Sequence, residues 1–330
     1  MTEKIRIGIV GYGNLGRGVE LAVAKNPDME LVAVFTRRPV EQVNTGEQGT
    51  LVLNVSKAHE YTDQIDVMIL CGGSATDLPQ QGPEFAAMFN TVDSFDTHSR
   101  IPEYFALMDK TAKAKGKLAA ISIGWDPGLF SLQRLMTEAL LPGGKTYTFW
   151  GRGVSQGHSD AIRRIPGVKN AVQYTIPISA ALDRVRAGEQ PELAVGEQHL
   201  RDCYVVAEEG ADQDRIAAEI KAMPNYFADY ETKVTFITEE ELLREHSQMP
   251  HGGLVIRSAT TGRRDEHHQV VEFSLRLDSN PEFTASVLVA YARAVYRLHR
   301  EGKTGAVTIF DIPVGYLSMD SPENLRQRLL

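Results

Sequence analysis

Cysteine is nearly absent: 330 residues contain two, Cys71 and Cys203, in unrelated contexts. Such a pair offers neither a disulfide framework nor a CxxC metal signature, so no metal is expected, and a reducing cytoplasm is the expected setting. Long apolar runs are missing as well. None approaches the roughly 20 residues of a membrane span, and Met1 leads into a strand-like segment without a basic-then-apolar leader. Positive charge is in deficit, with 35 Lys and Arg against 43 Asp and Glu and a formal charge of −8. The longest basic clusters are the pairs Arg37-Arg38, Arg163-Arg164 and Arg263-Arg264. No nucleic acid and no anionic membrane is therefore expected as a partner. Repeats and low-complexity stretches do not occur. What is present, 42% hydrophobic and 24% charged residues, marks an ordinary globular chain that is long for one core, so two domains are expected.

The first 120 residues alternate short apolar runs with helical spacing. Ile5–Val10, Leu31–Phe35, Val67–Cys71 and Leu118–Ile123 read as buried parallel strands. Between them Leu15–Lys25, Pro83–Phe89 and Pro102–Lys115 read as helices, the last capped by Gly116. This alternation predicts an α/β fold, a Rossmann-type doubly wound parallel sheet. After about residue 143 strands come at Thr146–Trp150, Val172–Ile176, Tyr204–Ala207, Lys233–Ile237, Leu254–Ser258 and Gln269–Leu277. They suggest a second, α+β domain. A long amphipathic helix at Pro281–Arg300 follows. The expected division is a nucleotide-binding domain over 1–120, completed by about 301–330, and a substrate-binding and dimerisation region over 121–300. Arg186–Gly196 reads as a surface loop.

The sharpest motif is Gly11-Tyr12-Gly13-Asn14-Leu15-Gly16, between a strand and a helix. Gly11 permits a tight turn, Gly13 lets a pyrophosphate approach the backbone, and Gly16 allows close helix–sheet packing. The helix N-terminus then offers unpaired N–H groups to the phosphates. At the end of the second strand an NAD site places a carboxylate on the ribose. This chain has Thr36-Arg37-Arg38, which suits a 2′-phosphate, so NADP is the expected cofactor. Cys71, Gly72, Gly73, Ser74, Ala75 and Thr76, closing the next apolar strand, are small enough to let the nicotinamide ribose lie on backbone. Cys71 itself reads as a small buried residue and not a nucleophile.

Polar residues also gather at expected strand ends. Asp96 lies in Thr91–His98 and Asp126 in Gly124-Trp125-Asp126-Pro127-Gly128. Asp126 before Pro127 reads equally as a helix N-cap. In Ser155-Gln156-Gly157-His158-Ser159-Asp160, Ser159 or Asp160 could simply cap a helix. His251, in Met249-Pro250-His251-Gly252-Gly253, reads on its spacing as a hydrogen-bonded structural residue.

Together these blocks resemble the meso-diaminopimelate dehydrogenase family. The resemblance is carried by VGYGNLGR at 10–17, FTRR at 35–38, CGGSATD at 71–77, TVDSFDTH at 91–98 and GWDPGLFS at 124–131. It continues in SQGHSDAIRRIPGV at 155–168, AVQYT at 171–175, MPHGG at 249–253 and LDSNPEFTAS at 277–286. It implies NADP-dependent, reversible oxidative deamination in lysine and diaminopimelate biosynthesis. The D-centre of meso-2,6-diaminopimelate becomes an imine, which hydrolyses to L-2-amino-6-oxopimelate and ammonia; the keto acid can close to tetrahydrodipicolinate. The resemblance also implies a homodimer. It places Asp96, Trp125 and Asp126 at the reacting D-centre, beside Gln156 and Gly157. Trp150, Thr175, Arg201, His251 and Asn280 would hold the distant L-centre. Aspartates suit an ammonium, and Arg201 suits a carboxylate. Asp96 and Asp126 are assigned to orientation first and proton transfer second; the base stays open between an aspartate and water. Arg152 and Val154 depart from the family's Pro and Leu, and Arg257–His268 has no counterpart in the alignable blocks. Two other readings, a reductase for amino-acid aldehydes or dihydrodipicolinate and a redox-sensing regulator, are disfavoured. The first needs no ammonium site, and the second needs a basic DNA-binding module.

Overall fold

Ile5, Ile7 and Ile9 face one core and Val10 the other, and all four are nearly sealed from solvent, because the strand they form is covered on both faces. That strand belongs to the first of two units in a computed structural model that describes residues 4–46 and 49–330. The first unit comprises the residues up to Leu132 together with Pro281–Leu330; the second is Gln133–Asn280.

In chain order the first unit begins with β1 (Ile5–Val10), α1 (Asn14–Ala24), β2 (Met29–Thr36), β3 (Val52–Asn54) and β4 (Val67–Leu70). It continues with α2 (Leu78–Ala86), β5 (Asn90–Asp93), α3 (Ile101–Ala114), β6 (Leu118–Ala120) and the start of α4 (Leu129–Leu140). The second unit carries β7 (Lys145–Trp150), β8 (Gly153–Val154), α5 (Gln156–Arg163), β9 (Val168–Pro177), α6 (Ser179–Arg186) and α7 (Val195–Gln198). After these come β10 (His199–Ala207), α8 (Gln213–Ala222), β11 (Thr232–Phe236), α9 (Glu239–Glu245), β12 (His251–Thr261) and β13 (His267–Leu277). The chain returns to the first unit through α10 (Asn280–Arg300), β14 (Gly305–Val307) and α11 (Pro322–Leu329).

The expected parallel sheet is present, in the order β3-β2-β1-β4-β5-β6-β14. Ile7, Ile9, Val67 and Ile69 face one core with Val19 of α1; Phe35, Met68 and Leu70 face the other with Phe85 of α2 and Met108 of α3. This is the period-2 alternation of a sheet buried on both sides. Strand order reverses between β1 and β4, where Cys71 N donates to the Val10 carbonyl at 2.8 Å. Sheets of this kind bind ligands at the carboxyl ends of strands beside such a reversal.

The boundaries differ from expectation. The long helix α10 belongs to the first unit, because Leu288, Val289, Tyr291, Ala292 and Val295 pack into the core that holds β1. An amphipathic pattern shows that a helix buries a face, not which core receives it. The helix therefore spends its apolar face inside this unit. Helix α2 begins five residues before the expected Pro83, which lies inside it.

The second unit is α+β, as expected. Its four-stranded sheet runs β11-β10-β9-β8 and its three-stranded sheet β13-β12-β7. β12 and β13 form a long antiparallel hairpin, Thr261 opposite His267. The polar stretch Arg257–His268 is thus the end of that hairpin, and no cluster suited to a metal occurs among the described residues.

Candidate active site

Chain reversal after β1 is made by Gly11, at φ +89°, a region costly for any residue with a Cβ. A Cβ on Gly16 would stand 2.2 Å from the Gly11 carbonyl oxygen, so α1 leaves the turn only because that atom is missing. Gly13 differs: a Cβ there would meet no protein atom within 4 Å. Its small size answers no need of the protein's own packing and suits a ligand laid against the backbone. Gly13 is the N-cap of α1 and has no side chain to offer the first turn of the helix. Tyr12 turns away, its hydroxyl donating to buried Glu20 in a short hydrogen bond, and burial first pushes its phenol up to about 12.

Thr36 is buried, and its hydroxyl accepts from Arg38 N at 3.1 Å. It shapes the turn that presents the two arginines. The Arg38 guanidinium donates back to the Tyr12 carbonyl of the glycine turn, in a short contact. Arg37 is exposed and pairs with Asp77 at 2.8 Å. Asp77 also accepts from Gly73 N at 2.8 Å, which folds the Cys71–Thr76 segment back on itself. Arg38 is thus tied to the glycine turn and Arg37 to Asp77 of the segment that follows β4. Burial pushes the Cys71 thiol up, as expected of a packing residue. Ser74 does more than give room: its Oγ accepts from Asp96 N at 2.8 Å and Thr97 N at 3.1 Å. It fastens the loop carrying Asp96 to the loop beside the glycine turn.

Trp125, buried, stacks edge-on against Phe130 at 5.2 Å. Asp126 is not the N-cap of α4, which begins only at Leu129; the Asp126–Pro127 peptide is cis.

In the second unit, antiparallel register decides which side chains meet. Thr175 of β9 lies opposite both Gly153 of β8 and Arg201 of β10. Arg201 is buried, donates to Thr175 Oγ1, and lies over the Tyr230 ring with 3.9 Å between guanidinium carbon and centroid. Among the described residues no carboxylate pairs with it, and its Nε–H is buried without a partner. A buried cation whose donor is left unmade is costly unless a ligand completes it. His251 packs on Gly153, where a Cβ would come within 2.5 Å of Nδ1. That Nδ1 lies 2.8 Å from Gly252 N and 3.2 Å from the Gly252 carbonyl oxygen, which fixes the ring against its own backbone.

Trp150 N donates to His199 Nε2 at 2.9 Å, and the two rings lie 5.2 Å apart. Burial, and secondarily Arg201, lower His199 to about 4. His158 is lowered to about 4 by the same causes in the same order. Ser155, and not Ser159 or Asp160, caps α5, its hydroxyl also meeting His158 Nδ1 at 2.6 Å. Gln156 Nε2 donates to Met249 Sδ at 3.2 Å, and the Met249 carbonyl accepts from Asn280 N at 3.1 Å, which draws Gln156 and Asn280 toward one residue. Tyr230 and His199 had no signal in the sequence. Both depend on cross-strand register, which a lone aromatic or histidine does not announce.

The two histidines give a stability prediction. Their folded values lie below the ordinary 6.5, so the unfolded chain takes up protons first. Stability from this source is present above about pH 6.5 and is lost as pH falls toward 4. At about 1.4 kcal/mol per pKa unit, His199 accounts for a few kcal/mol. His199→Gln is expected to flatten the fall of Tm between pH 7 and 5 relative to wild type. Identical slopes would show that His199 is not held neutral.

Residues 124–279 match the model of the diaminopimelic acid dehydrogenase C-terminal domain. The chain is 66% identical over 329 residues to meso-diaminopimelate D-dehydrogenase of Ureibacillus thermosphaericus, covering 99% of this chain and all of that one. The diaminopimelate dehydrogenase of Corynebacterium glutamicum in complex with diaminopimelate superposes with a TM-score of 0.91 at 46% identity, covering all of both chains. An engineered D-amino acid dehydrogenase bound to NADP+ superposes at 0.86 and 44% identity, covering 99% of this chain and all of that one.

Proposed function

The chain belongs to the family of meso-diaminopimelate D-dehydrogenases, and we propose how its residues carry that reaction. The reaction is oxidative deamination of the D-centre of meso-2,6-diaminopimelate to L-2-amino-6-oxopimelate, the open form of tetrahydrodipicolinate, and ammonia. NADP is the cofactor, and when bound it supplies the hydride acceptor.

Gly11, Gly13 and the α1 N-terminus suit its pyrophosphate, Arg37 and Arg38 its 2′-phosphate, and the Cys71–Thr76 segment its nicotinamide half. Asp96 and Asp126 hold the ammonium of the reacting centre, with Trp125, Gln156 and Gly157 against its carbon skeleton. Arg201 grips the distal carboxylate; Thr175 and His251 stand beside it, and Trp150 and Asn280 complete that end. Two aspartates hold the amine in its charged form, which must give up a proton before the carbon can be oxidised. Their first task is orientation; the proton leaves to one of them or to water. The observation that carries this reading is Arg201, a buried cation without a carboxylate of its own among the described residues.

We also assign the chain to the cytoplasm, in keeping with two unpaired cysteines, and to a homodimer. Val270 and Val271, exposed on the edge strand β13, suit an interface. Among the described residues no helix is long and apolar enough to cross a membrane.

The direct test is growth of the NADPH absorbance band when meso-diaminopimelate is added with NADP+. No turnover of the meso isomer would overturn the reading. Cofactor choice has its own test. Arg37→Ala/Arg38→Ala removes two charge-assisted contacts of about 1.5–3 kcal/mol each, discounted because Arg37 is largely exposed. KM for NADP+ should rise about 10- to 100-fold, with little change for NAD+. Equal losses for both nucleotides would mean damage to the glycine turn.

A further inference from the structure

Three residues before Asp96, at the carboxyl end of β5, Asp93 has no exposed surface, and no cation pairs with it among the described residues. A carboxylate so placed must be held by hydrogen bonds, and this one is held by three. Oδ1 accepts from Phe95 N at 3.0 Å and from Ser122 N at 3.1 Å; Oδ2 accepts from the Tyr104 hydroxyl at 2.8 Å. The Asp93 carbonyl accepts from Ile123 N at 2.8 Å.

The donors are not scattered. Phe95 immediately precedes Asp96. Ser122 and Ile123 are where the chain leaves β6 toward Gly124, Trp125 and Asp126. Ser122 sits at φ +56°, a left-handed conformation uncommon for a residue with a Cβ, and its own hydroxyl is buried without a partner. Core packing alone explains neither the buried carboxylate nor this backbone. Tyr104 completes the arrangement. Its ring stacks on Phe95 at 4.1 Å, and its hydroxyl reaches Asp93 because Gly82 of α2 leaves room: a Cβ there would lie 2.1 Å away. Burial pushes the Asp93 carboxyl up to about 6 while the three donors pull it down, so the group is held against its environment.

We propose that Asp93 is a positioning residue: one buried carboxylate oxygen fastens the backbone of both loops that carry Asp96 and Trp125-Asp126, and so sets their separation. Tyr104 and Gly82 aim that carboxylate. The inference rests on the assignment of Asp96, Trp125 and Asp126 to the reacting end. It reaches past them to a group that touches no substrate.

Asp93→Asn keeps the size and weakens the grip on two N–H groups, since hydrogen bonds to a charged acceptor are the stronger ones. Its kcat/KM for meso-diaminopimelate is expected to fall about tenfold or more, while Kd for NADP+ by fluorescence titration and Tm with NADP+ stay near wild type. Tyr104→Phe, which only loosens Oδ2, should fall about threefold on the same scale. A folded Asp93→Asn enzyme with wild-type kcat/KM overturns the proposal. So does a loss of NADP+ binding in proportion to activity, which would mark a merely structural residue. If Asp93→Asn does not accumulate, Tyr104→Phe decides by the same two measurements. Wild-type enzyme run in parallel keeps the questions apart, because its failure on meso-diaminopimelate would overturn the functional reading and not the role of Asp93.

Discussion

Arg201→Lys is expected to lower kcat/KM for meso-diaminopimelate by about 10- to 100-fold. The change keeps the charge and loses the planar fork that holds a carboxylate through two parallel hydrogen bonds. It also loses the stack on Tyr230 and shortens the reach to Thr175, so the ammonium will wander where the guanidinium was fixed. Contacts of this kind are worth about 1.5–3 kcal/mol, which corresponds to the stated range. A D-amino acid with one carboxylate and no distal end should be a poor substrate of the wild type and nearly indifferent to the substitution. Parallel kinetics on the two substrates separate the readings. Equal slowing of both would make Arg201 a support of the β9–β10 sheet and not the distal anchor.

How far the sequence predicted this site depends on the kind of signal each residue sends. The glycine turn and the arginine pair announce themselves. Gly11 and Gly16 are demanded by backbone geometry, and two cations stand where a carboxylate would select NAD. β1 and β4 were equally plain, since β4 is an unbroken apolar run and Ile5, Ile7, Ile9 and Val10 of β1 are buried. β3 and β14 escaped because three residues at a sheet edge are too few to carry a period. Arg201 and Thr175 came only through the family resemblance. Alone, an arginine in a strand is a solvated charge; it becomes an anchor when register sets it opposite Thr175 and buries it beneath Tyr230. Asp93 stood within a quoted motif, yet its role lies in three donors from three separate stretches of chain. No local pattern reports that.

The largest expected effect is stereochemical, and it tests both ends of the site at once. The meso isomer carries one D- and one L-centre, and the residues divide accordingly: carboxylates for the reacting ammonium, Arg201 with Thr175 and His251 for the distal carboxylate. Both ends carry an ammonium and a carboxylate, so the configuration at each centre decides which end suits which subsite. The LL isomer, anchored correctly, turns its reacting C–H away from the side where the meso isomer presents it, and should give no detectable NADPH. The DD isomer presents a reactive centre, but its distal ammonium and carboxylate are interchanged in space. Losing two charge-assisted contacts of about 1.5–3 kcal/mol each suppresses its turnover roughly 10²-fold or more. The order should therefore be meso far above DD, with LL silent, measured as initial rates at equal concentration with saturating NADP+. Arg201→Lys should narrow the gap between meso and DD, because it weakens the contact that separates them, and leave LL silent. Comparable rates for all three isomers would remove the two-ended site and leave a dehydrogenase that reads only its cofactor.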